Sequence, residues 1–163
     1  MTQKVRQMVR AAVIGALYVV LTHLQNLIFP NSASMAIQFR ASEVLCVLAF
    51  FTPAAIPGLT VGCLLFNLTF IGSLPLDFLV GTLATLGATA SMRLLRRLPF
   101  LGLLMPALWN AFLVGWELSV YIGGGFWLNA LYVAIGEAAV LLTLGTALYY
   151  ALKTRNLHTR LFS

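Results

Sequence analysis

The sequence predicts an all-α integral membrane protein, a bundle of six transmembrane helices. Three observations carry this expectation. Of 163 residues, 61% are hydrophobic and only 9% charged, whereas a domain that faces water needs about one-quarter charged residues to cover its surface. At about 20 residues per span plus short turns, six helices use up nearly all of the chain, so residues 1–163 read as a single transmembrane domain with no extramembrane domain. Lysine and arginine fall in three clusters at predicted helix ends: Lys4, Arg6 and Arg10; Arg93, Arg96 and Arg97; Lys153, Arg155 and Arg160. With six spans, these clusters share one side, which the positive-inside rule makes cytoplasmic, as it does both termini.

Span 1 is expected over about 8–29, ending at Phe29-Pro30-Asn31. Its basic start and apolar run resemble a signal peptide. The run is long, however, and no A-x-A site follows, so it reads as a retained span. A polar connector, Asn31 to Arg40, follows. Span 2 is expected over about 36–52; starting only after Arg40 would leave it too short to cross alone, so Arg40 and Glu43 are placed inside a helix. Pro53 and Pro57-Gly58 mark a tight turn, because proline interrupts helical hydrogen bonding and glycine eases reversal. Spans 3 and 4 are expected over about 54–71 and 75–94, separated by Gly72-Ser73-Leu74-Pro75. Spans 5 and 6 follow over about 100–122 and 127–152, broken by Gly123-Gly124-Gly125. Phe126 and Trp127 suit an aromatic anchor at the outer interface.

The net charge of +6 marks topology rather than nucleic-acid binding, since no basic face is interleaved with exposed aromatics. Cys46 and Cys63 sit in apolar runs with neither metal-ligand nor disulfide spacing, and read as small buried side chains. Neither a nucleotide-binding loop, a metal cluster nor a nucleophile–base constellation is visible. No cofactor and no enzymatic activity are expected.

The acids carry the functional signal. The chain has four, Glu43, Asp77, Glu117 and Glu137, and none lies in a basic cluster. Placing a charge in hydrocarbon costs about 2.5–3.5 kcal/mol on insertion scales, so an intramembrane acid faces a cavity or a partner. Glu43 and Asp77 fall near the outer ends of spans 2 and 4. Glu117 is about 9 Å below the outer end of span 5, and Glu137 about 15 Å into span 6, at 1.5 Å per residue. Asn67, Gln25 and Asn26 lie at a similar level. Asn110, Glu117 and Tyr121 return to one side of span 5. Together they describe a polar pocket, open outward and sealed by apolar residues below. Duller roles stand beside this one: Asp77 complements the positive end of span 4, Arg40 and Glu43 form a local i,i+3 pair, and Asn67 and Asn110 act as interhelical glue, the reading favoured for Asn110. Glu117 and Glu137 have no basic neighbour one turn away. His23 reads as a packing or interface histidine.

Span 1 also holds two overlapping small-xxx-small pairs, Ala11/Gly15 and Ala12/Ala16. Such pairs let another helix approach closely, whether inside the bundle or from a partner.

Several stretches resemble the QueT family across essentially the whole chain. These are Ile37-Gln38-Phe39-Arg40-Ala41-Ser42-Glu43, then Phe51-Thr52-Pro53-Ala54-Ala55-Ile56-Pro57-Gly58-Leu59, then Asp77-Phe78-Leu79-Val80-Gly81-Thr82-Leu83-Ala84-Thr85, with Trp109-Asn110 and Gly136-Glu137. The resemblance implies an S-component-like bundle in the cell membrane: the substrate-binding subunit of an energy-coupling-factor importer. It implies capture of a queuosine precursor (a 7-deazaguanine such as preQ0, preQ1 or queuine) from outside and delivery by toppling. It further implies a transmembrane coupling subunit and two ATPase subunits as partners, and Ala12 and Ala16 as the contact with the coupling subunit. A guanine-like edge suits a carboxylate that accepts adjacent N–H groups, because charge-assisted bonds are about twice as strong as neutral ones. Glu117 or Glu137 is expected to read that edge, and Glu43 or Asp77 to meet the ring substituent. Gln38 or Asn67 would meet the ring carbonyl, and Phe39, Trp116 or Tyr121 would stack on the ring. Arg40 completes the expected set. The alternatives are an S-component for another vitamin-like heterocycle and a stand-alone proton-coupled transporter.

Overall fold

The computed structural model describes residues 2–30, 40–70 and 73–154. They form an all-α fold. Helix α1 (Gln3–Ile28) is followed by a 3₁₀ helix (Ala41–Phe50), α2 (Ala55–Thr69), α3 (Asp77–Leu94), α4 (Pro99–Tyr121) and α5 (Phe126–Val140). The last helix runs on through a π-helical turn (Leu141–Gly145) into α6 (Thr146–Thr154). Three rods are long and apolar enough to cross a membrane: Gln3–Ile28, Pro99–Tyr121 and the continuous Phe126–Thr154. The segments Ala41–Phe50 and Ala55–Thr69 are apolar but shorter. Large apolar side chains such as Leu17, Leu24, Leu65, Leu83, Phe112 and Ile135 are exposed on the outside, while the acids lie within. That inverted arrangement suits lipid rather than water.

Several boundaries differ from the expected ones, each for a local reason. The second element starts at Ala41, with Arg40 before it in extended conformation and Glu43 in its first turn; the expected start near residue 36 lies outside the described residues. At about 2.0 Å per residue, a ten-residue 3₁₀ helix spans about 20 Å, against about 15 Å for an α-helix of that length. Pro57 and Gly58 do not form a turn. The reversal lies at residues 51–54, and both residues belong to the first turn of α2, where a proline N–H would have no helical partner anyway. The glycines Gly123, Gly124 and Gly125 do break the chain, with φ of 89°, 84° and 83°, a region that L side chains rarely adopt.

Successive helices α1 to α5 pack as neighbours along an arc, and the 3₁₀ helix lies inside it, touching every other helix. One apolar cluster surrounds this inner helix, with Tyr18, Cys46, Val47, Leu59, Phe66, Met92 and Leu103. A smaller one, Val80, Val114, Leu118 and Val133, joins α3, α4 and α5. The basic end is tied to the inner helix by Arg93, whose Nη1 donates to the Phe50 carbonyl at 2.9 Å.

The two small-residue pairs of α1 part company. Gly15 faces α2, where a Cβ on it would stand 2.7 Å from the Gly58 carbonyl oxygen. A Cβ on Gly58 would stand 2.6 Å from the carbonyl oxygen of Ala11. Ala12 and Ala16 are exposed instead. They line a shallow groove with Ala11, Gly15, Pro57, Gly58, Val61 and Leu65. Because the α1–α2 contact is backbone on backbone, Gly58→Val is expected to destabilise the detergent-purified protein by about 1–3 kcal/mol, the usual cost of overpacking. A lowered unfolding temperature checks this, with Val61→Ala on the outward face of α2 as the control left nearly unchanged.

Candidate functional site

All four acids of the chain lie within charge-interaction range of Arg40. The five side chains come from four places along the chain: Arg40 just before the inner helix and Glu43 in its first turn, Asp77 from the start of α3, Glu117 from α4 and Glu137 from α5. None is more than 2% exposed. These side chains therefore form a buried cluster.

Glu43 is held on both oxygens. The Tyr18 hydroxyl donates to Oε1 at 2.8 Å, and the Cys46 thiol donates to Oε2 at 3.0 Å. Next to it, Thr22 Oγ1 bonds Ser42 Oγ at 2.7 Å. The Ala41 N–H donates to Gln25 Oε1 at 2.6 Å. Helix α1 thus fixes the first turn of the inner helix and, with it, Arg40. Asp77 accepts the Leu74 N–H on Oδ2 at 2.8 Å, which ties the turn before α3 to the first turn of that helix. Asn67 Nδ2 donates to the Asp77 backbone carbonyl at 2.8 Å, joining α2 to α3. A Cβ on Gly81 would stand 2.8 Å from Asn67 Nδ2 and 3.8 Å from Arg40 Nη1. The missing side chain at Gly81 therefore leaves room for the amide and the guanidinium.

Glu117 and Glu137 differ from the other two acids. None of their four carboxylate oxygens has a hydrogen-bond partner among the described residues. Glu117 approaches Asp77 and the Leu76 backbone without reaching hydrogen-bond geometry, and Glu137 faces Glu43. Asn67 Oδ1, Asp77 Oδ1, Thr85 Oγ1 and Asn110 Nδ2 are likewise buried without a partner among the described residues. Buried polar groups are paired in the great majority of cases, so the open oxygens of Asn67, Asp77, Glu117 and Glu137 around Arg40 suit a polar ligand.

The predicted site residues divide accordingly. Arg40, Glu43, Asn67, Asp77, Glu117 and Glu137 come together. Trp116 and Tyr121 do not; both are nearly half exposed on the outside of α4. A step of one residue rotates by about 100°, which turns Trp116 away from Glu117, and Tyr121 is the last residue of α4. Gln38 and Phe39 lie outside the described residues. Asn110 is buried on the Glu117 face, but its Nδ2 joins no helix among the described residues. His23 packs edge-on against Phe66, with ring centroids 5.0 Å apart, and its Nε2 is 3.1 Å from Thr69 Oγ1. Sequence reasoning passed over Tyr18 and assigned Cys46 to packing alone. The available signal was a stripe on α1, where Tyr18, Thr22 and Asn26 recur every four residues and are all buried.

Residues 8–154 match the family model described as QueT transporter. The chain belongs to the QueT transporter family. Membership places it among membrane transporters rather than enzymes. Within the family, it is 39% identical over 84 residues to the queuosine precursor transporter QueT of Lactococcus lactis subsp. cremoris (strain MG1363). That alignment covers 51% of this chain and 47% of the relative, so it spans about half the relative's length. No solved structure matches the chain.

The Glu43 clamp can be measured directly. A double-mutant cycle of Tyr18→Phe and Glu43→Gln is expected to show a coupling of about 1.5–3 kcal/mol, the range for hydrogen bonds to charged groups. Strictly additive losses in thermal or denaturant unfolding would mean that the two side chains do not interact.

Proposed function

We propose that this QueT-family chain is the substrate-binding S-component of an energy-coupling-factor importer in the cell membrane. It captures a queuosine precursor, a 7-deazaguanine, from the outside and delivers it inward by toppling against an ATP-driven module. The observation that carries the reading is the pair of buried carboxylates without partners among the described residues, Glu117 and Glu137, set beside Arg40, Asn67 and Asp77. A 7-deazaguanine offers adjacent N–H groups to such carboxylates, and charge-assisted bonds of this type are about twice as strong as neutral ones. The name of the Lactococcus lactis relative supports the same ligand class.

The rest of the reading concerns partners and orientation. Six spans with Lys4, Arg6, Arg10, Arg93, Arg96, Arg97 and Lys153 at one end put that end and both termini in the cytoplasm. The acids then lie toward the outside. The exposed Ala12/Ala16 groove on α1 and α2 supports a contact with the transmembrane coupling subunit, since small residues admit close helix approach in lipid. Two ATPase subunits supply the energy.

The test is a thermal-shift or native mass-spectrometry screen of the purified protein against queuine, preQ1, preQ0 and guanine. Stabilisation by at least one 7-deazaguanine is expected, with its binding weakened at least about tenfold in Glu117→Gln, and in Glu137→Gln where the base carries an amine, by loss of a charged hydrogen-bond partner. Stabilisation by none, or unchanged affinity in both variants, counts against the reading. Uptake into vesicles that follows a proton gradient without any ATPase subunit would favour a stand-alone transporter, with Glu117 or Glu137 carrying the proton.

A further inference from the structure

The open atoms of the cluster also bear on which 7-substituted base it takes. We propose that the site selects the cationic 7-aminomethyl form over the neutral 7-cyano form, with Glu137 meeting the ammonium group and Glu117 the base edge. This deepens the 7-deazaguanine reading and rests on it. It also departs from the expectation that Glu43 or Asp77 meets the substituent. Glu43 already accepts hydrogen bonds on both oxygens, and Asp77 has given one oxygen to the Leu74 N–H.

The first argument is a balance of donors and acceptors. Asn67 Oδ1, Asp77 Oδ1 and both oxygens of Glu117 and of Glu137 lack partners among the described residues. All of these accept when the acids are ionised. Against them stand the Arg40 guanidinium and Asn110 Nδ2, which only donate, and Thr85 Oγ1, which does either, so acceptors remain in excess. The cluster therefore needs a ligand rich in donors and poor in acceptors. Both forms of the base bring N1–H, the 2-amino group and the pyrrole N–H as donors. An aminomethyl group, protonated at neutral pH, adds three more N–H donors. A nitrile adds only another acceptor.

The second argument is the placement of charge. Four acids share Arg40. Its Nη1 passes Gly81, one turn beyond Asp77. Tyr18 and Cys46 direct their donors at Glu43 and so favour its anion. Glu137 lies within charge-interaction range of that anion, and both of its oxygens lack partners among the described residues. Two adjacent buried carboxylates repel, and a cation between them removes the repulsion. An ammonium group on the ligand meets this need, whereas a nitrile leaves it unmet.

The experiment is titration calorimetry of the full-length protein in detergent or nanodiscs at neutral pH with each base in turn. The amine is expected to bind at least about 30-fold more tightly than the nitrile, in line with hydrogen bonds to charged groups. Glu137→Gln, first checked for folding by size-exclusion and thermal unfolding, is expected to cut affinity for the amine about 30-fold while moving that for the nitrile less than about threefold. Glu117→Gln is expected to weaken both. Equal affinities in the native protein would overturn the selectivity and leave the 7-deazaguanine reading standing. Binding of neither base would overturn both. Should Glu137→Gln fail to fold, Glu137→Asp replaces it: a loss of affinity for the amine alone is expected. Equal losses for both bases, in either variant, would overturn the role given to Glu137.

Discussion

One buried cation holds this structure's polar centre together. Arg40 is enclosed in a chain that carries every one of its acids in the same interior cluster. An isolated charge in a low-dielectric interior costs several kcal/mol after relaxation, so these side chains persist by facing one another and by engaging fixed dipoles. The fold supplies both. The inner 3₁₀ helix touches every other helix, so a side chain at its start is within reach of acids from α3, α4 and α5. Gln25 anchors that start through the Ala41 N–H, and Gly81 clears space for the guanidinium. What remains is a surplus of carboxylate oxygens with no protein partner among the described residues. That surplus is where structure passes into function.

The surroundings divide the work. Apolar side chains cover the outside, and small residues set the distance between helices. The stripe on α1 shows how finely one helix separates these tasks. Ala11 and Gly15 meet α2, Ala12 and Ala16 stay exposed, and Tyr18 and Thr22 reach the inner helix. A one-residue step of about 100° moves a side chain from one role to another. The last helix carries a π-helical turn directly after the segment bearing Glu137, a feature found frequently at functional sites.

Much of the fold was legible in the sequence. Scarce charges and basic clusters at segment ends announce the membrane, while Pro30 and the triple glycine mark two breaks that the structure shows. The inner helix was not legible. Hydropathy reports burial but not the pitch that lets ten residues span about 20 Å, and Pro57 punctuates a turn or opens a helix equally well. In the site, Glu117 and Glu137 stood out because an acid in an apolar run has few bland explanations. Tyr18 and Cys46 did not, because both residue types pack readily in cores and only coordinates reveal a hydroxyl and a thiol aimed at one carboxylate. Trp116 and Tyr121 were drawn in by their ring chemistry, and their exposure on α4 shows that ring type says nothing about facing.

The claim at the centre of this account is that Arg40 is the shared counter-charge of the buried acids, and thermal unfolding of Arg40→Met with and without Asp77→Asn tests it most directly. Removing one member of a buried charge group typically costs about 3–5 kcal/mol. The account predicts a loss of that order for Arg40→Met and partial recovery when Asp77→Asn removes one of the stranded carboxylates. An Arg40→Met protein as stable as the native one, with no response to the second substitution, would contradict it.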